Sequence, residues 1–328
     1  MPAPRISLIL LVYNQLAFID AAVQSCLAQV GEPLEIVLSD DASTDGSYER
    51  LQVLAAAYRG PHTVWARRNA QNLGIGAHYN AVIEACKGEL IVTAAGDDLS
   101  VPHRVQTLAQ AWDAGGGQAD LIASHFTDMA FDGTPGAVVQ TDDLAAIGLS
   151  QWLQRRPYTT GATHAFTRRM MQRFGPFIPG VWYEDLVMVF RALCLGGALT
   201  VAQPLVLYRR DGSSKSPDPS LITGARQRAW LARQNGRVLA EIRQLLQDAG
   251  LAGQAEPVRV ALAPQWQRET FLHALLGGAG LAGGWRALRC APLVPLGWRV
   301  RKLLFFAWPA LGEASAAVRR WRLRLRGR

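Results

Sequence analysis

The chain has 328 residues, of which 49% are hydrophobic and 18% charged, and its formal net charge is +8. This length suffices for two domains with sizeable cores, and the composition excludes a disordered protein. The four cysteines form no CxxC pair, which argues against a disulfide framework or a zinc site and favours a reducing compartment.

The first hundred residues alternate apolar runs with amphipathic stretches. Ile6–Val12 leads into polar residues with no small-residue cleavage site, so it predicts a strand and not a signal peptide. No uncharged stretch reaches the length of a membrane-spanning helix. Helices and strands are then predicted in alternation over Leu16–Gln29, Glu35–Leu38, Ser47–Tyr58, Thr63–Ala66, Ile75–Cys86 and Leu90–Ala94. This order predicts a doubly wound, mostly parallel α/β sheet that binds ligands at the carboxyl ends of its strands.

The middle of the chain is less regular, with predicted helices and strands at Arg104–Trp112, Leu121–Phe126, Gly148–Arg155, Asp185–Cys194 and Leu199–Tyr208. The turn-rich stretch Asp211–Ser220 predicts a boundary between a domain of residues 1–215 and a helical C-terminal region of residues 216–328. That region begins with a long amphipathic helix, Gln227–Ala249.

The excess positive charge lies at the C-terminal end. Residues 285–328 contain eleven bases and one acid, whereas the first 284 residues carry 23 bases and 25 acids. Five aromatic residues lie among these bases: Trp298, Phe305, Phe306, Trp308 and Trp321. Such a tail favours the surface of an anionic membrane, with a solvated basic tail as the alternative. No nucleic-acid-binding fold accompanies it, so a nucleic acid partner is not expected.

Two acidic pairs follow predicted strands, Asp40-Asp41 after the second and Asp97-Asp98 after the fourth. In a doubly wound sheet both loops open on one crevice, where four carboxylates repel each other unless a cation or hydrogen-bond donors compensate them. Mg²⁺ or Mn²⁺ bound together with a substrate diphosphate would suit this site. Alternatively the acids form turns and cap a helix, which is the interpretation we favour for Asp45 alone.

Other chemistries lack their sequence signals. The turn after the first strand, Val12–Gln15, has no glycine to admit a dinucleotide pyrophosphate, and Gly74-Ile75-Gly76 lacks the third glycine of that motif. Neither a GxxxxGK[ST] loop nor a GxSxG elbow occurs. Oxidoreductase, P-loop and serine-hydrolase functions are therefore disfavoured.

Six segments carry a more specific signal: Val12-Tyr13-Asn14, Asp40 to Ser47, Arg68 to Gly74, Gly96-Asp97-Asp98, Tyr183-Glu184-Asp185 and Pro204 to Arg210. In this order they resemble the family-2 glycosyltransferases of the GT-A fold, over about two-thirds of the chain. The resemblance implies a GT-A-like sheet with a helical C-terminal extension. It also implies an inverting, metal-dependent transfer from a nucleotide sugar in bacterial surface-polysaccharide synthesis.

The resemblance assigns roles to individual residues. Asp41 would accept a hydrogen bond from the nucleotide base, usually uracil, with Tyr13 packing near that base. Asp98 would bind the metal that bridges the donor diphosphate, and Asp97 would face the sugar or ribose. Asp185 would be the general base for the acceptor hydroxyl, with Glu184 beside it near the acceptor.

Two positions depart from the family pattern. Gly96 stands where many relatives carry the first acid of an Asp-x-Asp motif, so this loop would supply one direct metal ligand. Asp211 stands where relatives commonly have histidine, and it is either a second metal ligand or a loop residue. Trp182 and Tyr183 could form an apolar platform for an acceptor sugar or pack in the core.

These observations predict a transferase that moves a sugar, with a UDP-sugar as the expected donor, to a saccharide or lipid-linked acceptor at the cytoplasmic face of the cell membrane. A sugar nucleotidyltransferase would need a glycine-rich, arginine-containing loop after the first strand, which Val12–Gln15 does not provide. An inactive, membrane-associated scaffold on the same fold is the other alternative, although it need not retain Asp41, Asp98 and Asp185.

Overall fold

The computed structural model describes residues 4–210, 224–277 and 280–307. These residues form two compact units, one of residues 4–210 with 247–254 and the other of the remaining described residues from 224 onwards. The first unit contains one mixed sheet whose strands are β1 Ile6–Val12, β2 Glu35–Asp40, β3 Thr63–Arg68, β4 Leu90–Ala95, β5 Leu99–Ser100, β6 Leu121–Met129, β7 Pro135–Val139, β8 Ala165–Thr167 and β9 Ala198–Arg209.

The helices of the described residues surround this sheet or follow it along the chain. They are α1 Ile19–Leu27, α2 Ser47–Ala57, α3 Ile75–Ala85, α4 Arg104–Ala114, α5 Leu149–Gln154, α6 Arg168–Phe174, α7 Glu184–Leu193, α8 Gly224–Leu251, α9 Ala255–Leu276, α10 Gly280–Arg289 and α11 Leu296–Ala307. The predicted α/β fold class is confirmed, including the strict alternation from β1 to β4 and the helical C-terminal region.

The strand order is β3-β2-β1-β4-β8-β6-β9-β5, with β7 paired to β6. Strands β1 to β4 pair in parallel, as predicted. The other half of the sheet is mixed, because β8 runs antiparallel to both β4 and β6 while β6 and β9 are parallel. The sequence did not predict β5, β7 and β8, since two of them are very short and β7 is mostly exposed and lacks an apolar face.

The main core lies on the parallel half of the sheet. All seven residues of β1 and all six of β2 are buried, as expected for strands covered on both faces. Each fully buried aliphatic side chain contributes about 1.5–3 kcal/mol of hydrophobic stabilisation. Because β1 pairs in parallel with both β2 and β4, the carboxyl ends of these three strands meet at one edge of the sheet. The loops that follow the strands therefore lie side by side.

The last turns of α8 belong to the first unit. Asp248 there pairs with Arg191 of α7, with 2.7 Å between Asp248 Oδ2 and Arg191 Nε, and both side chains are fully buried. Arg191 also donates to the carbonyl oxygen of Gly175 at 3.0 Å. The buried pair ties α8 to the helix whose first residues are Glu184 and Asp185.

The second unit has its own small apolar cluster, formed by Phe271, Leu275, Leu288, Ala291, Val294 and Leu303. Trp298 and Phe306 of the predicted tail pack against this cluster, so part of that segment is folded. None of the helices in the described ranges combines the length and hydrophobicity needed to cross a membrane. Asp211 and the tail beyond residue 307 lie outside the described residues.

Candidate active site

A cavity of about 430 Å³ opens at the carboxyl ends of β1, β2 and β4. The start of α3, the turn at residues 160–162 and the start of α7 complete its wall. The structure brings the predicted site residues that it describes to this one cavity: Tyr13, Asp41, Asp97, Asp98, Glu184 and Asp185. Their positions in the chain span more than 170 residues, and the sheet topology brings them together.

Asp41 lies buried at the end of β2 and is held by three donors. Its Oδ1 accepts from Asn69 Nδ2 at 2.7 Å and from the backbone N–H of Leu73 at 2.9 Å. Its Oδ2 accepts from the backbone N–H of Gly74 at 3.0 Å. These bonds fix the carboxylate in the wall of the cavity, while Oδ2 retains capacity for a further donor such as a base N–H.

A hydrogen-bonded chain of side chains supports Asp41, and no sequence motif predicts it. Arg67 donates to Asn69 Oδ1 and to Ser39 Oγ, both at 2.8 Å, and Ser39 Oγ lies 2.7 Å from His78 Nε2. Burial lowers the pKa of His78 to about 4, with Arg67 adding to the effect against the opposing influence of Asp41. His78 is therefore neutral at physiological pH, and the chain acts as a support for Asp41.

The loops after β1 and β2 are held together by hydrogen bonds, and each loop contains a residue in the left-handed region. Asn14 has φ 52° and Ala42 has φ 61°, conformations that non-glycine residues rarely adopt. The backbone N–H of Asn14 donates to Ser43 Oγ at 2.8 Å, and Asn14 Oδ1 accepts from the backbone N–H of Thr44 at 2.9 Å. These contacts leave Tyr13 exposed at the cavity, available to pack against a ligand.

Asp45 stabilises the same pair of loops. Its Oδ1 accepts from the backbone N–H and hydroxyl of Ser47, and its Oδ2 accepts from the backbone N–H of Leu16 at 3.0 Å. Burial alone would raise the pKa of Asp45, but these hydrogen bonds outweigh it and lower the pKa. Asp45 therefore forms a turn against Ser47, the first residue of α2, although the N-cap residue of that helix is Gly46 and no side chain within the described ranges caps it.

Asp98 presents a buried carboxylate with one satisfied oxygen. Its Oδ1 accepts from the backbone N–H of Arg209 at 2.7 Å, whereas Oδ2 is buried and has no hydrogen-bond partner among the described residues. Burial, followed by the neighbouring charge of Asp97, raises the pKa of Asp98 to about 8. A buried carboxylate that so disfavours ionisation is suited to a cation, which would favour its charged form.

The described residues supply few other metal ligands. No group of three or more His, Cys, Asp or Glu side chains in the described ranges is arranged to hold a metal. Gly96 cannot be replaced by an acid without a local shift, because a Cβ there would lie 2.5 Å from Gln15 Oε1. The site fits a divalent cation that takes one ligand from Asp98 and others from a bound diphosphate.

Glu184 and Asp185 are the first two residues of helix α7 and line the same cavity. Asp185 accepts hydrogen bonds from the backbone N–H groups of Leu186, at 2.8 Å, and of Gly161. Burial raises the pKa of Asp185, and burial together with Asp185 raises the pKa of Glu184 well above its ordinary value. A raised pKa makes a carboxylate a stronger base once it is ionised, so Asp185 beside this cavity can accept a proton from a bound hydroxyl.

Trp182 and Tyr183 are neighbours in the chain, but only Trp182 lines the cavity. Trp182 lines the cavity with 40% of its surface exposed. Tyr183 is partly buried at the residue preceding α7 and is not among the cavity-lining residues. Tyr208, the penultimate residue of strand β9, lines the cavity instead.

The sheet and its acidic cavity have the α/β architecture predicted from the sequence, and comparison with known proteins identifies the family. Residues 7–173, just over half of the chain, match the family described as glycosyl transferase family 2. The chain belongs to this family and is a glycosyltransferase.

Individual relatives and structures agree with this assignment. An uncharacterized glycosyltransferase of Nostoc sp. is 27% identical over 68% of this chain and 70% of its own length. The succinoglycan biosynthesis protein ExoO of Rhizobium meliloti is 32% identical over 64% of this chain and 62% of its own. The chain thus spans less than two-thirds of ExoO.

Solved structures show the same fold at low sequence identity. TarS 1-349 of S. aureus, crystallised with UDP-GlcNAc, superposes with a TM-score of 0.56 at 16% identity, covering 92% of this chain and 89% of that one. The mannosyltransferase PcManGT of Pyrobaculum calidifontis, in complex with GDP-Man and Mn²⁺, gives a TM-score of 0.50 at 17% identity, covering 93% and 86%.

Proposed function

We propose that this glycosyltransferase performs an inverting, metal-dependent transfer from a nucleotide sugar, with a UDP-sugar as donor, to a saccharide or lipid-linked acceptor in cell-surface polysaccharide synthesis. The observation that carries the proposal is the buried Oδ2 of Asp98, which has no hydrogen-bond partner within the described ranges and lies in the same cavity as Asp41 and Asp185. The UDP-GlcNAc bound to TarS, the GDP-Man and Mn²⁺ bound to PcManGT, and the biosynthetic role in the name of ExoO support it.

The residues divide the proposed reaction between two walls. Asp41, held by Asn69, Leu73 and Gly74, accepts the N–H of the nucleotide base, and exposed Tyr13 covers that base. Asp98 holds the cation, with Asp97 facing the sugar or ribose; a bound Mg²⁺ or Mn²⁺ supplies charge neutralisation for the departing diphosphate.

At the start of α7, Asp185 removes the proton of the acceptor hydroxyl as that hydroxyl attacks the anomeric carbon. The bond to the acceptor oxygen forms while the bond to the nucleoside diphosphate breaks, so no enzyme nucleophile is needed and the configuration inverts. An acceptor ring would bind near Trp182, which lines the cavity and is 40% exposed. Asp211 stays a candidate metal ligand in this proposal.

The test is thermal denaturation with Mn²⁺ and a panel of UDP-, GDP- and dTDP-sugars, because a ligand bound to the native state alone raises the melting temperature. We expect the largest rise with one UDP-sugar, and only when the metal is present. The same donor should be hydrolysed slowly without an acceptor. Equal shifts with and without excess chelator would contradict the metal, and a larger shift with a GDP-sugar would contradict the donor assignment.

A turnover assay separates this proposal from its two alternatives. A sugar nucleotidyltransferase would consume a nucleoside triphosphate with a sugar 1-phosphate, whereas the proposed enzyme consumes the nucleotide sugar alone. An inactive scaffold would show neither reaction. Slow, metal-dependent release of UDP from a UDP-sugar would therefore exclude both alternatives.

The second unit supports the membrane part of the proposal. Around α10 and α11, Trp285, Leu293 and Leu296 are 63%, 55% and 62% exposed. The described residues 280–307 contain five bases and no acid. Exposed apolar side chains among bases suit an anionic bilayer, where apolar burial and attraction to headgroups add. We propose that this surface and the tail beyond it hold the enzyme on the inner face of the cell membrane.

A further inference from the structure

Arg104, the first residue of α4, is fully buried behind the wall of the cavity. Its Nη2 donates to the carbonyl oxygens of Thr93 and Ala162, both at 2.7 Å, and its Nη1 donates to Ser100 Oγ at 2.9 Å. Thr93 and Ala162 line the cavity, whereas Arg104 itself does not. The guanidinium thus acts on the cavity through its neighbours.

Each partner of Arg104 lies next to a proposed site residue. Ser100 follows Asp98 by two residues, and Thr93 lies in β4, whose last residue precedes Gly96 and the Asp97-Asp98 turn. Ala162 follows Gly161, whose backbone N–H donates to Asp185. Arg104 therefore links the wall proposed to hold the donor diphosphate to the wall that carries the proposed base.

A second set of contacts ties the same turn to β4. The Thr93 hydroxyl donates to the carbonyl oxygens of Gly161, at 2.6 Å, and of His164, at 3.0 Å. Gly161 is also packed tightly, since a Cβ at this residue would lie 3.2 Å from Asp185 Cβ and 3.3 Å from Glu184 Oε1. A shift of the turn by a fraction of an ångström would therefore move Asp185.

The chemistry of Arg104 suits a linking role better than a packing role. Its hydrogen-bond acceptors among the described residues are uncharged, and its Nε is buried without a partner there. Burial lowers its pKa to about 10, so the guanidinium stays charged at physiological pH. Burying such a charge is unfavourable, but only the planar fork of arginine presents donors to three acceptors in fixed geometry.

We propose that Arg104 is a positioning residue that sets the spacing between the Asp97-Asp98 turn and the Gly161–Asp185 contact needed for sugar transfer. This inference rests on the proposed transferase function. Lysine keeps the charge but cannot reach all three acceptors, so Arg104→Lys should lower kcat by about 10- to 100-fold. The KM for the donor should change less than about threefold, since Asp41 and its support are untouched.

A matched control is available at Arg168, whose guanidinium donates to the carbonyl oxygens of Ile83, Cys86 and Gly88 at 2.7–3.0 Å. None of these residues lines the cavity. Arg168→Lys removes the same kind of contact elsewhere, so it should lower the melting temperature comparably but keep kcat, per folded molecule, within about twofold of wild type.

The decisive measurement is kcat with the best donor and acceptor, together with the ratio of sugar transfer to donor hydrolysis. Misplacement of Asp185 should lower transfer more than hydrolysis by free water, whereas loss of folded protein lowers both equally. Thr93→Val removes the hydroxyl contacts but keeps the buried Arg104, so it should also lower the ratio of sugar transfer to donor hydrolysis. Thr93→Ser keeps a hydroxyl and should restore that ratio.

Three results would overturn the inference. The first is an unchanged kcat and ratio in both Arg104→Lys and Thr93→Val. The second is an equal loss of kcat in Arg168→Lys. The third is a wild-type chain that turns over no nucleotide sugar, which would overturn the proposed function as well. If Arg104→Lys does not fold, the Thr93 pair decides by itself.

Discussion

The backbone N–H of Arg209 donates to Oδ1 of Asp98 at 2.7 Å across 111 residues of sequence, and this contact orients Oδ2 of Asp98, which has no partner in the part of the chain that the structure describes. The Arg209 side chain reinforces the arrangement, because its Nε donates to the carbonyl oxygen of Asp97 at 2.9 Å. Its guanidinium also lies 4.5 Å from the centre of the Phe18 ring. The end of β9 therefore fixes the acidic turn that follows β4.

Replacing Asp98 by asparagine tests the proposed cation. Asp98→Asn keeps an oxygen for the Arg209 N–H but removes the charge, so transfer should fall by at least about 100-fold. The rise in melting temperature with Mn²⁺ and nucleotide sugar should also disappear. Asp113→Asn, an exposed acid paired with Arg5, is the control and should behave as wild type. Retained activity of Asp98→Asn would remove Asp98 from the metal site.

Replacing Asp185 by asparagine tests the proposed base. Asp185→Asn keeps the size of the side chain but cannot accept the proton, so kcat should fall by about 10²- to 10⁴-fold. The dissociation constant of the donor, measured by calorimetry, should change little. A variant that loses donor affinity while keeping kcat would place Asp185 in the donor site and leave Glu184 as the base.

The wild-type pH profile should carry a second sign of this base. Burial raises the pKa of Asp185, so its carboxyl is still protonated where an ordinary aspartate is ionised. We expect kcat to fall as the pH decreases through that raised pKa, with the acidic limb above the ordinary value of 3.8. An acidic limb at or below that value would contradict a carboxylate base whose pKa is raised by its surroundings.

Glu184→Gln should change how stability depends on pH. Burial and Asp185 raise the folded-state pKa of Glu184 above the ordinary 4.5, so its favourable contribution is full below the unfolded pKa and is lost as pH rises towards the folded pKa. Glutamine imitates the protonated acid and removes this loss. The melting temperature of Glu184→Gln relative to wild type should therefore be higher at about pH 8 than at about pH 5.

The buried ion pair of Arg191 and Asp248 should matter far more than an exposed one. Asp248→Asn leaves a buried guanidinium uncompensated and should cost about 3–5 kcal/mol, whereas Arg191→Met combined with Asp248→Leu should cost less than either single change. The exposed pair of Arg50 and Asp20 is the control, and Asp20→Asn should cost less than about 1 kcal/mol. Chemical denaturation of the variants measures these differences.

Membrane binding is best tested by point substitution. Truncation after residue 284 would remove Leu288, Ala291, Val294 and Leu303 from the apolar cluster of the second unit and expose the rest. Serine at Trp285, Leu293 and Leu296 instead changes only exposed side chains. This triple variant should sediment less than wild type with anionic vesicles and fold equally well.

High salt should weaken the binding of both proteins, because surface attraction is screened within about a Debye length. Neutral vesicles should retain neither protein strongly, since each base near an anionic surface contributes about 1 kcal/mol. Equal sedimentation of the triple variant and wild type with anionic vesicles would remove the α10–α11 surface from the proposal.

The sequence by itself determined the parallel half of the sheet and the acids at its edge. Strands buried on both faces are continuous apolar runs, which makes Ile6–Val12 and its neighbours visible without a structure. The topology of such a sheet then requires the loops after β2 and β4 to meet, so Asp41 and Asp98 could be placed together in advance.

Only the tertiary structure decided how these acids are supported. Arg104, Arg209 and Asp248 are single charged residues that a sequence gives no reason to bury, yet each is buried with hydrogen-bond partners in the fold. The short strand β8 runs antiparallel to β4. Gly161, shortly before β8, packs against Asp185, which lies 24 positions later in the chain. These contacts depend on long-range geometry, which local hydrophobic periodicity does not encode.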